Sequence, residues 1–341
     1  MRKETSYLAL GLFVGALLTA AVFIGVLRAE KAAARIGGGG SRVVLKLGHA
    51  LDQSHPVHAG MVFMADRLRE LSGGSVELQI FPNAQLGSEA EMIEQLQRGA
   101  LAIVKTSAAS MEGFVPEMAV FGLPYLFRDE NHYWRVLEGP VGRDLLKTGE
   151  RVGMYGLCYY DSGSRSFYTS SRPVLKPEDV RGLKIRVLPS RMAMDMISTL
   201  GGSPTPIPWG ELYTALQQGM VDGAENNPPS LLTSRHYEVA KHFSINEHTR
   251  VPDIVVCSQR IWEGLSPEVR RWVQQAADES VTYQRKLWTE QTEKALEQLK
   301  ERGLQIHRPD QKAFAAATEP LRAQFRQTSL GELARRIEET R

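Results

Sequence analysis

The chain has 341 residues, 43% of them apolar and 23% charged, with two cysteines and 41 Lys/Arg against 39 Asp/Glu. This composition excludes a disulfide-stapled miniprotein, a collagenous or low-complexity chain and a disordered acidic tail. The near-balanced charge leaves no broad basic surface to hold nucleic acid by counterion release, and the length predicts two domains of roughly 100–200 residues each.

Arg2 and Lys3 form a basic head, and no charged residue follows from Thr5 to Leu27. A cleaved leader carries an apolar stretch of roughly 7–15 residues, whereas about 20 match a bilayer core. Residues 1–36 are therefore a signal peptide or a membrane anchor, and the length favours an anchor across 7–27. Ala32 and Ala34 supply an A-x-A-like pattern that keeps cleavage open. Residues 37–41, GGGGS, form a flexible linker, and the folded body begins near Arg42. That body holds 36 Lys/Arg and 37 Asp/Glu, so the small positive balance belongs to the membrane end.

From Val43 the pattern alternates strand and helix. Val43 to Leu47 is a β-branched run, and Val57 to Leu71 repeats apolar residues at helical spacing before Gly73 and Gly74 stop it. Val76, Leu78 and Ile80 alternate with polar residues as a half-wet strand. Ser88 and Glu91 make a capping box for a helix ending at Gly99, and Leu101 to Val104 returns as a buried strand. Such alternation predicts an α/β fold with a largely parallel sheet. A second unit starts near Arg165, with a turn at Pro177, a strand from Leu183 to Val187, and helices from Met192 to Leu200 and Gly210 to Gln218. Asp253 to Cys257 is again an apolar strand, and beyond Leu265 apolar spacing predicts helix almost continuously to Arg302. At 1.5 Å per residue that helix is roughly 50 Å long, too long for one small domain to cover, so it runs across two lobes.

Cys158 and Cys257 sit in apolar strand-like stretches, where two buried free thiols are the plainer reading and a disulfide remains allowed in an oxidising compartment. No nucleophile elbow, P-loop, G-x-G-x-x-G turn or H-E-x-x-H is present. His49, His55 and His58 raise a metal site, but His58 would open the helix and a third partner is missing; solvated or capping histidines are favoured. Arg186 ends an apolar strand and shares a face with Lys184 by period two; Arg165 lies in a small-residue turn leading into an aromatic strand. Each arginine would ordinarily pair with a carboxylate of the chain, yet a planar guanidinium on a rigid element is also the best single group for fixing the carboxylate of a ligand. Asn226 and Asn227 precede a proline pair that keeps them out of a helix interior, as turn residues or as ligand partners. Trp209 follows Pro204, Pro206 and Pro208, so it is held in place, either as core or as an apolar wall.

Five ordered segments carry a family resemblance: FPNAQLGSE (Phe81 to Glu89), FVPEMAVFGLPYLF (Phe114 to Phe127), RPVLKPEDVRGLKIRV (Arg172 to Val187), GGSPTPIPWGELYTALQQGMVDGAENNP (Gly201 to Pro228) and YEVAK (Tyr237 to Lys241). From about Leu45 to about Phe314 the chain resembles the DctP-type solute-binding proteins of tripartite ATP-independent periplasmic (TRAP) transporters. The resemblance implies a two-lobed periplasmic binding protein fold of type II-like α/β architecture, its lobes joined by crossing strands and a long helix. It implies Arg186 as the holder of a ligand carboxylate, Arg165 as a second cation, Asn226 as a polar clamp, Trp209 as an aromatic wall and Glu89 as a hydroxyl acceptor from the opposite lobe. Sialic-acid binders of the family carry an acidic residue where this chain has Ser107, which disfavours that ligand. The doubled asparagine and the EHTRVPD stretch (Glu247 to Asp253) look more like uronate binders, with Asn227 and His55 as candidates for sugar hydroxyls.

The expected protein is an exported periplasmic monomer, held at the inner membrane by its first segment, that captures a small organic acid and delivers it to TRAP membrane subunits. A hexuronate such as glucuronate or galacturonate is the expected ligand. Alternatives are a C4-dicarboxylate, a 2-oxo acid or an aromatic acid, or a tethered ligand sensor. Two arginines without an activated base or nucleophile make a poor catalytic set, so no enzyme activity, metal or cofactor is expected. The expected domains are lobe I from 42–162 and 253–292 and lobe II from 163–252 and 293–341.

Overall fold

The computed structural model describes residues 42–341; the expected anchor and linker lie outside the described residues. Among the described residues eleven strands form two sheets. β1 (Val43–Gly48), β2 (Val76–Phe81), β3 (Ile103–Ser107) and β4 (Met154–Tyr160) belong to the first, β5 (Arg165–Thr169), β6 (Lys184–Val187), β7 (Ser203–Pro206), β8 (Gly223–Asn226) and β9 (His242–Thr249) to the second. The chain then returns to the first sheet as β10 (Asp253–Ser258) and ends its strands in the second as β11 (Gln305–His307). The first sheet has the order β2-β1-β3-β10-β4, the second β11-β9-β5-β8-β6-β7.

The local sequence signals act as expected from Val43 to Gly99. His55 caps the helix Pro56–Leu71 by accepting from Val57 N, and Gly73 and Gly74 take positive φ just beyond its end. Ser88 and Glu91 form both bonds of a capping box at the start of the helix Glu89–Gln97. The helix Pro267–Glu301, 35 residues capped by Ser266, is the long rod that the spacing predicts.

Three expectations need correcting. The sheets are mixed rather than largely parallel, because β10 runs antiparallel to both β3 and β4, and β5 antiparallel to both β8 and β9. These strands arrive from the other sheet through 161–164 and 250–252, not by a crossover helix, so the right-handed parallel unit does not govern their direction. The buried strand near 101 also starts later and runs on through Lys105 to Ser107. Between Gly210 and Gln218 the chain forms a 3-10 turn, Trp209–Glu211, before the helix Leu212–Gln217.

The crossing chain is clamped from the long helix. Gln284, fully buried, accepts from Asp161 N and donates to Asp161 O, both at 2.8 Å. After β11 come two helices, Gln311–Phe325 and Ser329–Glu338. The first packs on β9 and the helix Arg191–Thr199; the second lies against 116–122, with Arg336 paired to Asp144. Cys158 and Cys257 are buried free thiols, and the register explains it: Cys158 stands opposite Val255 and Cys257 opposite Tyr155. Among the described residues no helix is long and apolar enough to cross a membrane.

Candidate functional site

The carboxyl ends of the parallel strands converge on one cavity between the sheets. In the second sheet β6, β7 and β8 run parallel. Beyond their ends stand Leu188, Trp209 and Asn227, with Asn226 closing β8, and all four line the cavity. β1 and β3, parallel in the first sheet, bring Ala50 and Ser107 from the other side. The antiparallel intruders add their starting residues: Arg165 opens β5 beside Asn226, and Asp253 opens β10 opposite Ser107. Ligands of open α/β sheets bind outside the carboxyl ends of strands for this reason, since loops and free backbone groups collect there.

Arg186 is fully buried, with its strand flanked on both sides by β7 and β8. Its Nε donates to Ile207 O at 2.8 Å, and the guanidinium lies 5.5 Å from the centre of the Trp209 ring. Nη1 and Nη2 are buried and have no hydrogen-bond partner among the described residues. Burial, with the nearby Arg165 charge, pushes its pKa down to about 10, so it is still a cation at neutral pH. A buried cation with two idle donors is costly, and a carboxylate is the group whose geometry answers it.

Arg165 differs. It bonds both carboxylate oxygens of Glu225, and its Nη1 donates to Asn226 Oδ1 at 3.1 Å. Burial pushes the Glu225 carboxyl up, but the Arg165 charge and the bonds it receives outweigh this and hold it at about 2; the His248 ring, 3.5 Å away, contributes. The charge of Arg165 is therefore matched within the protein, and its free role is to orient Asn226.

The remaining expected residues line the cavity together with Arg165, Asn226 and Trp209; Arg186 stands just outside the lining, beside Trp209. Glu89 accepts from Ser110 Oγ at 2.5 Å and Ser107 N at 3.3 Å. Asn227 spends its amide on the fold: Oδ1 caps the helix Pro228–Thr233 through Ser230 N, and Nδ2 donates to Ser162 O. Because His55 Nδ1 accepts from Val57 N, its proton sits on Nε2, which reaches Ser230 Oγ across the cleft at 3.2 Å. His49 is fixed similarly: Nδ1 accepts from Leu51 N, so Nε2 donates to His58 Nδ1 at 3.0 Å. His55 could ligate a metal only by giving up its Nε2 proton or its cap bond to Val57 N, and no group of three or more metal-ligating side chains occurs among the described residues.

Sequence reading missed the Lys105–Asp253 ion pair, 2.9 Å apart and nearly solvent-free in the cavity wall. Its one signal was a lysine continuing an apolar strand. A larger concavity of about 480 Å³, holding Trp134, Tyr155 and Asp278, involves only elements around the first sheet; two lobes could not close over a ligand there.

Two α/β lobes, joined by crossing strands and a long helix and facing each other across a cavity, with a buried cation beside it that keeps two donors idle, define a two-lobed solute-binding protein. The chain belongs to the DctP family, described as bacterial extracellular solute-binding protein, family 7, which matches residues 47–328. A TRAP periplasmic solute-binding protein from a Bradyrhizobium species, solved with galacturonate, is 40% identical and superposes with a TM-score of 0.84 over 87% of this chain and 99% of its own. One from Anaerococcus prevotii, solved with D-glucuronate, is 36% identical with a TM-score of 0.85 over 87% and 98%. The C4-dicarboxylate-binding periplasmic protein DctP of Rhodobacter capsulatus is 32% identical over 262 residues, 76% of this chain and 78% of that protein.

Proposed function

We propose that this solute-binding protein works in the periplasm, captures a hexuronate and hands it unchanged to TRAP membrane subunits. The observation that carries the reading is Arg186, buried and cationic with Nη1 and Nη2 unused. The ligand carboxylate pairs with these two donors, and its ring lies against Trp209, within reach of Asn226 and Glu89. Galacturonate and glucuronate in the similar solved structures support the choice of sugar acid. Residues 42–162 with 253–292 form one lobe and 163–252 with 293–341 the other, the C-terminal helices strapping the two. Closure is favoured only because the ligand touches both lobes. Residues 7–27 hold the monomer at the inner membrane, and no bond of the ligand is made or broken.

Calorimetric titration of the purified chain with a panel of sugar acids, dicarboxylates, 2-oxo acids and aromatic acids tests the proposal. A dissociation constant of about 1 μM or tighter for galacturonate or glucuronate is expected. Tight binding of a C4-dicarboxylate with no heat for either uronate would replace it with the activity named for the Rhodobacter relative. Chemical change of a bound acid on prolonged incubation would overturn the binding-only reading.

A further inference from the structure

The two walls of the cavity carry opposite charge. On the side of the second sheet, Arg165 lines the cavity and is matched by Glu225, while Arg186, behind the lining Trp209, has no carboxylate partner among the described residues, a balance of one positive charge. On the side of the first sheet the charged lining residues are Glu89, Lys105 and Asp253, a balance of one negative charge. The neighbouring His55 adds none, since burial and the Lys105 charge keep it neutral.

The negative wall is also made of hydrogen-bond acceptors. Each Glu89 oxygen takes one bond from Ser110 or Ser107, and a carboxylate oxygen has room for a second. Asp253 gives Oδ2 to Lys105 at 2.9 Å, and the Lys105 charge opposes the upward push that burial, then Glu89, puts on its carboxyl. Among the described residues Lys105 is the one donor of full charge on this wall, and Asp253 holds it.

We infer that Glu89 and the Lys105–Asp253 pair select monocarboxylates with hydroxylated tails and exclude dianions. This rests on Arg186 holding the first carboxylate, as proposed above. A hydroxyl at the far end donates to Glu89 or Asp253, whereas a second carboxylate brings only acceptors and a like charge. To gain a partner it would have to take Lys105 from Asp253, leaving a buried carboxylate unpaired. The selectivity is thus built into a wall that never touches the anchoring carboxylate.

The test is calorimetry on the full chain with matched open-chain pairs that differ in the second carboxylate, galactonate with galactarate and erythronate with meso-tartrate, and with galacturonate titrated beside them. The wild-type chain should bind the monoanion of a pair about 100-fold more tightly than the dianion. Glu89→Gln and Asp253→Asn each remove one negative charge at different atoms, and each should cut that ratio at least about tenfold, with thermal unfolding reporting that the variants fold. Glu89→Gln keeps shape and charge pairing elsewhere, so it stands if Asp253→Asn is unstable. Equal affinities within a pair in the wild-type chain, or an unchanged ratio in Glu89→Gln, overturns the inference. Preference for erythronate with uronates unbound would sink the hexuronate reading and support this one; uronate and aldarate bound equally would do the reverse.

Discussion

The Arg186 guanidinium lies 5.5 Å from the centre of the Trp209 ring, while its Nε bonds Ile207 O two residues before that tryptophan. One short segment thus fixes both the direction of the cation and the wall beside it. Ring and cation attract by about 1–2 kcal/mol when desolvated. Trp209→Ala should weaken uronate binding roughly tenfold or more, and Trp209→Phe should recover most of it. Calorimetry on both variants checks this; wild-type affinity in Trp209→Ala would remove the ring from the site.

Glu225 and Arg165 form a buried pair, and breaking it from one side strands a charge. Glu225→Gln should lower stability by about 3–5 kcal/mol in urea unfolding. The pH dependence follows with its sign. The carboxyl sits at about 2 in the folded chain against 4.5 ordinarily, so its contribution is complete above 4.5 and is lost as pH falls toward 2. A stability profile of Glu225→Gln as steep as wild type across that window would contradict the assignment.

His55 should make ligand binding sensitive to acid. Burial, then the Lys105 charge, holds its pKa well below 6.5 while it reaches Ser230 across the cleft. An opened cleft would return it toward 6.5, so closure binds no proton that the open form would hold. Affinity should be flat above pH 6.5 and fall below it, by up to about tenfold per pH unit, while the ligand carboxylate stays ionised. Titration from pH 8 to 5 should show this slope in the wild-type chain and not in His55→Asn; equal slopes would free His55 of the role.

The thiols should be inert until the chain unfolds. Burial pushes Cys257 up to about 12 and Cys158 higher still, so neither offers a thiolate at neutral pH. A thiol reagent should titrate neither cysteine in the native protein and both after denaturation without reductant. Fewer than two in the denatured chain would mean a disulfide that the strand register disfavours.

Much of this was legible in local signals. The capping box at Ser88 and Glu91, the glycine stop after Leu71 and the long helix from Pro267 depend on neighbours in sequence, and they stand where the pattern puts them. The antiparallel insertion of β5 and β10 was not legible, because direction there is set by a strand arriving from the other lobe. The same limit applies to the site. Arg186 and Trp209 could be singled out by their contexts, but that Glu225 neutralises Arg165 and not Arg186 depends on cross-strand register, with Glu225 opposite Phe167 and Arg165 two residues along. Lys105 and Asp253 meet only because β10 lies beside β3. The helices Glu130–Glu138 and Pro140–Lys147, and both helices after His307, also escaped the reading.

Calorimetric titration of Arg186→Ala with galacturonate and glucuronate tests the central claim most directly. The substitution removes the two idle donors and would leave a buried ligand carboxylate unpaired, so a folded variant should give no measurable binding, and Arg186→Lys should bind at least about tenfold more weakly than wild type. Wild-type affinity for either uronate in Arg186→Ala would contradict the account.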